Sequence, residues 1–157
     1  MERKDFTNKY YPLAIEASIG TPIFPETIIT AAGLESGWNT SQLSLKYNNF
    51  FGFKSSKSWT DSGGKVVSLP TKEVINGQTR TIDAIFRVYN NPTDSFKDYV
   101  RLLQTTRYVN AGVTIAKDSI SQFQALQKAG YATDPNYSSK LKMIYYNIKS
   151  FFLKTLL

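Results

Sequence analysis

The chain has no cysteine and no histidine among its 157 residues. A thiol nucleophile, a serine–histidine pair and an imidazole-ligated metal are therefore excluded, and no metal or cofactor is expected. Acid–base chemistry falls to Asp, Glu, Lys or Tyr. No disulfide can staple the fold, but at this length one hydrophobic core suffices, and the lack of cysteine fits either redox compartment. No stretch reaches the ~18 consecutive apolar residues of a membrane span. The opening Met1-Glu2-Arg3-Lys4-Asp5 has charge with no apolar run behind it. It is not a secretory signal, so delivery by a phage, a holin or an export partner is expected if the target lies outside the cytoplasm.

What is present is ordinary in bulk and basic in balance. Hydrophobic residues make up 41% and charged residues 20%, values typical of a single soluble domain. The net charge of +7 favours polyanionic partners. The basic residues are scattered, without the Lys/Arg run that marks a nucleic-acid arm, so nucleic acid is not expected as a partner. Aromatic residues are abundant at 14%. They can stack on sugars, but most aromatic side chains bury in cores.

The pattern along the chain predicts an α+β domain over residues 1–157. A first helix is expected over about 5–18, ending near Gly20. Thr21-Pro22-Ile23-Phe24-Pro25 is an extended connection, and Pro25 suits the first turn of a second helix. A short third helix fits 40–47. Residues 66–75 are rich in β-formers, and Asn76-Gly77 is a strong hairpin signal. Ile82, Ala84, Phe86 and Val88 then alternate as in a half-buried strand. Helices are expected again over about 93–105, 118–129 and 135–153, starting near Asp94 and Asp134-Pro135. Helices, a small hairpin and more helices leave a cleft between two lobes.

Glu35 lies three residues after Ala32 and seven after Ile28, on the stripe expected to face the core. Desolvation there penalises the charged form and raises the pKa, as does the partial negative charge of a helix C-terminus. An acid that keeps its proton can protonate a glycosidic oxygen. A Glu that caps a loop or pairs with a Lys is the plain structural alternative.

Leu34-Glu35-Ser36-Gly37-Trp38-Asn39, with Ser41, resembles the catalytic-helix end of the bacterial and phage glucosaminidase family, which includes flagellar-rod muralytic enzymes and many autolysins. Asn49-Phe50-Phe51-Gly52-Phe53-Lys54 is similar to that family's Asn-Leu-Phe-Gly-Ile-Lys segment, with Phe for Leu and for Ile. Phe86-Arg87-Val88-Tyr89, Ser95-Phe96 with Asp98-Tyr99, and Arg107-Tyr108 fit its next stretch. Ala129-Gly130-Tyr131-Ala132-Thr133-Asp134-Pro135, with Tyr137, matches its last motif. The resemblance covers roughly residues 6–150, with the motifs in the family's order.

The resemblance implies a mostly helical, lysozyme-like fold and an endo-β-N-acetylglucosaminidase acting on the glycan strands of peptidoglycan at the bacterial cell wall, as a monomer. It carries the family's acid onto Glu35 and a second carboxylate, the expected base, onto Glu73 in Thr71-Lys72-Glu73. A cross-strand ion pair with Arg80 would explain Glu73 without catalysis, and the substrate's own acetamido group could replace it. Tyr131 is placed in the cleft near the acid as a substrate-binding residue. Asn49 either holds the loop beside the acid or touches the sugar, and Trp59 could stack on sugar. Trp38 is expected to be a hydrophobic anchor, and Phe50, Phe51 and Phe53 to back the cleft wall.

The C-terminal segment sets Leu141, Ile144, Tyr145, Ile148, Phe151 and Phe152 on one side, with Lys140, Lys142, Lys149 and Lys154 elsewhere. Such a helix can lie on a membrane, although docking on the domain's own core is preferred. A muramidase, a lytic transglycosylase and a non-catalytic wall-binding module are the rival functions.

Overall fold

Local sequence chemistry sets most of the element boundaries in the computed structural model, which describes residues 1–155. The last two residues of the expected domain and the side chain of Lys154 lie outside the described part. Helix α1 (Arg3–Ser18) is followed by α2 (Pro25–Ser36), which begins with Pro25 in its first turn and stops where Gly37 turns left-handed. Ser41 caps α3 (Gln42–Tyr47) by accepting from the Ser44 N–H. A short α4 (Lys57–Asp61), unforeseen in the sequence, is capped in the same way by Ser56.

Strands β1 (Lys65–Ile75) and β2 (Gln78–Val88) form one antiparallel hairpin. Helices α5 (Pro92–Leu102), α6 (Thr106–Asn110), α7 (Ser119–Lys128) and α8 (Tyr137–Thr155) complete the chain, with a 3-10 turn at Val113–Ile115. The cap of α5 is Asn91 rather than Asp94: its Oδ1 accepts from the Asp94 N–H at 2.9 Å. Among the described residues no helix is long and apolar enough to cross a membrane.

The helices share one core. Phe6, Tyr10 and Ala14 of α1 meet Ile28, Ile29 and Ala32 of α2, and Phe96 and Tyr99 of α5 close the other side. Leu141, Ile144, Ile148 and Phe152 put α8 into the same core, while Lys140, Lys142 and Lys149 stay exposed. The apolar stripe of α8 is thus covered by the domain itself, which is the preferred of the two expectations for the tail.

The hairpin is the second lobe. Asn76 (φ 51°) and Gly77 (φ 76°) are both left-handed, as a two-residue type I′ turn requires. That turn sets the register that pairs Glu73 with Arg80 and Val67 with Phe86. Val67, Leu69, Thr71 and Glu73 are half-buried while their neighbours along β1 are exposed, so Glu73 lies on the inner face. The alternation expected in β2 holds toward its base, where Ala84 is half-buried, Ile85 exposed and Phe86 buried, but Ile82 in the outer half is exposed. The outer half of the hairpin stands clear of the helical body.

Two features anchor its base. The Ser55 N–H donates to the Ile85 carbonyl at 2.7 Å and the Arg87 N–H to the Phe53 carbonyl at 3.0 Å, which lays the 53–55 segment along β2. Buried Asp98 accepts from Arg87 Nη1 at 2.7 Å, Tyr89 Oη at 2.6 Å and Arg101 Nη1 at 2.6 Å, tying the hairpin to α5.

Candidate active site

Glu35 is the next-to-last residue of α2. The expected core-facing position is corrected here: the residue is exposed, and Ser36 takes the buried place one turn after Ala32. A helical stripe advances by 3.6 residues per turn, so the i+4 residue continues it and the i+3 residue falls at its rim. Ser36 spends its hydroxyl inward, donating to the Ala32 carbonyl at 2.6 Å. Gly37, Trp38 and Asn39 are then left-handed in succession, and this tight exit leaves Glu35 at the edge. Trp38 turns back beneath α2, where it would clash with any Cβ at Gly33 and meets Phe6 edge-on at 5.4 Å. It is the anchor the sequence indicated.

Exposure on one side is matched by protein on the other. Tyr137 Oη donates to Glu35 Oε1 at 3.0 Å. Tyr137 stacks on Tyr131 (5.5 Å, 24°), which meets Tyr99 edge-on (5.8 Å, 89°), and Tyr99 stacks flat on Phe51 at 4.0 Å. The crowding removes water from one face of the carboxyl and pushes its pKa above the usual carboxylate value, while the Tyr137 hydrogen bond opposes part of that rise. Burial, with the Glu35 charge as an added cause, holds the Tyr99, Tyr131 and Tyr137 hydroxyls far above the ordinary phenol range. All three stay neutral phenols, and it is Tyr137 that donates to Glu35. Tyr131 therefore lies in the wall behind the acid, one ring removed from it. Tyr137, quoted in the last motif but assigned no role, is the residue that touches the acid. Its place six residues after Tyr131 in that motif was the available signal.

Glu73 sits on the hairpin, away from α2, and no hydrogen bond joins it to Glu35 among the described residues. It faces Arg80 in register, yet the ion pair considered for that couple does not form. The Glu73 carboxylate accepts from Lys54 Nζ at 2.7 Å instead. Lys54 is bridged to Phe86 at the edge of β2, and its side chain reaches back to Glu73 on the inner face.

Of the two roles expected for Asn49, the contacts are those of a loop holder. It is 1% exposed. Its Nδ2 donates to the Phe53 and Arg87 carbonyls, each at 2.9 Å, and its Oδ1 accepts from the Phe53 N–H. Both amide hydrogens are committed, so none is left for substrate. Trp59 is also placed structurally: its indole N–H donates to the Lys65 carbonyl at 2.9 Å, Arg87 lies over its ring at 5.0 Å, and Gly64 packs against it with no room for a Cβ. It props the hairpin base, and the structure does not bring it to Glu35.

An acid at a helix end, a tyrosine wall behind it and a second carboxylate on a flanking hairpin make this a lysozyme-like glycoside hydrolase domain. Comparison with known proteins agrees. The chain belongs to the glucosaminidase family, whose profile, described as mannosyl-glycoprotein endo-beta-N-acetylglucosaminidase, matches residues 11–150.

It is 38% identical over 155 residues to peptidoglycan hydrolase FlgJ of Salmonella typhimurium, covering 95% of this chain and 47% of that protein. It is 38% identical over 138 residues to a probable N-acetylmuramidase of Lactococcus lactis, covering 82% and 30%. The chain thus spans about half, or less, of the length of these relatives. The fold matches the glycoside hydrolase domain of Salmonella typhimurium FlgJ with a TM-score of 0.77 at 36% identity, covering 95% of this chain and 99% of that one. It matches the catalytic domain of the Listeria monocytogenes autolysin Auto with a TM-score of 0.81 at 28% identity, covering 98% and 86%.

Proposed function

We propose that the chain hydrolyses the glycan strand of peptidoglycan at the bacterial cell wall as an endo-β-N-acetylglucosaminidase, with Glu35 as general acid and Glu73 as base. The observation that carries this is the Glu35 carboxyl, open on one side, backed by Tyr137 on the other, and holding its proton above the ordinary carboxylate range. Family membership and the peptidoglycan hydrolases among its relatives support the substrate.

In the reaction Glu35 gives its proton to the glycosidic oxygen as the bond to the anomeric carbon breaks. Water attacks that carbon and loses a proton to Glu73, so one water is consumed and both strand ends are complete. Tyr137 holds the Glu35 carboxyl in one orientation, and Tyr131 fixes Tyr137. Lys54 keeps Glu73 on the inner face until substrate enters.

Digestion of purified peptidoglycan, with the products reduced and weighed by mass spectrometry, tests the bond. New reducing-end N-acetylglucosamine is expected. Reducing-end N-acetylmuramic acid, which the name of the lactococcal relative brings into play, would make the chain a muramidase. 1,6-anhydro ends would make it a lytic transglycosylase. Glu35→Gln is expected to abolish wall clearing with the fold intact, and undiminished clearing would remove both the assigned acid and the enzymatic reading. Glu73→Gln is expected to lose about 100-fold or more, the scale of a general acid–base contribution. A near-normal rate there would hand the second role to the substrate's acetamido group.

A further inference from the structure

A second concavity lies beside the Lys54–Glu73 pair and takes no part in the chemistry above. It holds about 650 Å³ between the hairpin base and the C-terminal half of α5, with Phe53 and Leu102 as its apolar wall and Lys54, Arg87, Asp98 and Arg101 around it. Its volume is that of a small-ligand site. Three cations face one carboxylate there. Arg87 is committed to Asp98, the Lys54 carbonyl and Ser56. Among the described residues Arg101 gives one N–H, to Asp98, and its side chain is 73% exposed. The remaining guanidinium hydrogens are free to meet a carboxylate as a fork.

Resting on the peptidoglycan reading, we propose that this groove binds the acidic peptide stem carried by the glycan strand, with Arg101 holding a stem carboxylate and Phe53 and Leu102 taking its alanyl methyls. Charge complementarity selects this occupant: in the intact strand the lactyl carboxyl of each muramic acid is tied up as an amide, so the carboxylates and the short apolar side chains come from the stem. The position agrees: Lys54 borders the groove and also holds Glu73, and Phe53 lies 6.0 Å from Phe51, which stacks on Tyr99 behind the acid. A stem seated here would set the register of the strand across both carboxylates.

The test uses two substrates, intact glycan strands and strands stripped of stems by an amidase, with the lactyl carboxylates so exposed capped as methylamides. Wild-type kcat/KM is expected to be about tenfold higher on intact strands, the size of one charge-assisted contact. Arg101→Ala should bring that ratio to about one through KM, and Arg101→Lys should restore part of it. A synthetic L-Ala-γ-D-Glu-diaminopimelyl-D-Ala peptide, titrated into each variant by NMR, gives a readout that needs no catalysis. Asp98 keeps Arg87 and Tyr89 in these variants, and a thermal melt confirms folding.

Equal cleavage of both strands by the wild type, or peptide binding unchanged by Arg101→Ala, overturns the proposal while leaving the hydrolase standing. Competition by polyglycerol phosphate at lower concentration than the peptide would assign the groove to wall phosphate and also overturn it. Should neither strand be cleaved, the hydrolase reading falls, and the titration alone decides the groove.

Discussion

At the level of single residues, the Glu35 carboxyl lies between two opposed influences. Loss of water raises its pKa and the Tyr137 hydrogen bond lowers it, with the first the larger. With Glu35 as the proposed acid the reactive form is protonated, so activity is expected to fall as pH rises through this pKa, and each upward shift extends activity toward neutrality. Tyr137→Phe removes the lowering influence. The descending limb of the kcat/KM profile is therefore expected to move to higher pH, and a limb that stays put or moves to lower pH would show that Tyr137 does not tune the acid. Stability follows the same linkage. A folded-state pKa above the unfolded one contributes stability that is full below the unfolded pKa and is lost as pH rises through the folded one. Glu35→Gln should then melt above wild type at pH values beyond that range, with the gap closing in acid. The proposed acid was legible because a carboxylate stands at the end of an apolar helix that stops at Gly37. Tyr137 stood in the last motif, but its contact with the acid was not legible, because the two are 102 residues apart and the motif does not say what the ring touches.

At the level of elements, the hairpin is made by its turn and held by its base. Asn76-Gly77 announced both turn and register, since few residue pairs tolerate two left-handed positions. The partner of Glu73 could not be read in this way. Lys54 reaches the inner face only because the 53–55 segment lies along β2, a placement that depends on Asn49 and on the Asp98 cluster. Asp98 is the element-level pivot: its carboxylate is nearly inaccessible and serves Arg87, Arg101 and a tyrosine hydroxyl. Asp98→Ala strands the partly buried Arg87 beside an empty site, and breaking such a pair costs about 3–5 kcal/mol. A urea titration should show that loss, and a change under ~1 kcal/mol would mean the hairpin is anchored elsewhere.

Across the whole molecule, α8 joins the two ends of the chain and the catalytic edge. It packs on α1, α2 and α7 through Leu141, Ile144 and Ile148, and its first residue, Tyr137, reaches Glu35. Ile148 is fully buried, so Ile148→Ala should cost about 2–5 kcal/mol in thermal or urea unfolding. A neutral effect would reopen the membrane-facing reading of this helix. The sequence by itself determined the α+β class, the ends of α2, the hairpin turn and the family, and singled out Glu35 as the proposed acid, because caps, glycine turns, periodicity and short motifs are local properties of the chain. Only the tertiary structure decided that Glu35 sits at a rim rather than in the core, that Tyr137 is its partner, that Glu73 answers to Lys54, and that Asn49 and Trp59 support the site from outside. Those facts depend on contacts between residues far apart in the chain, and which distant groups meet is set by how helices and hairpin pack.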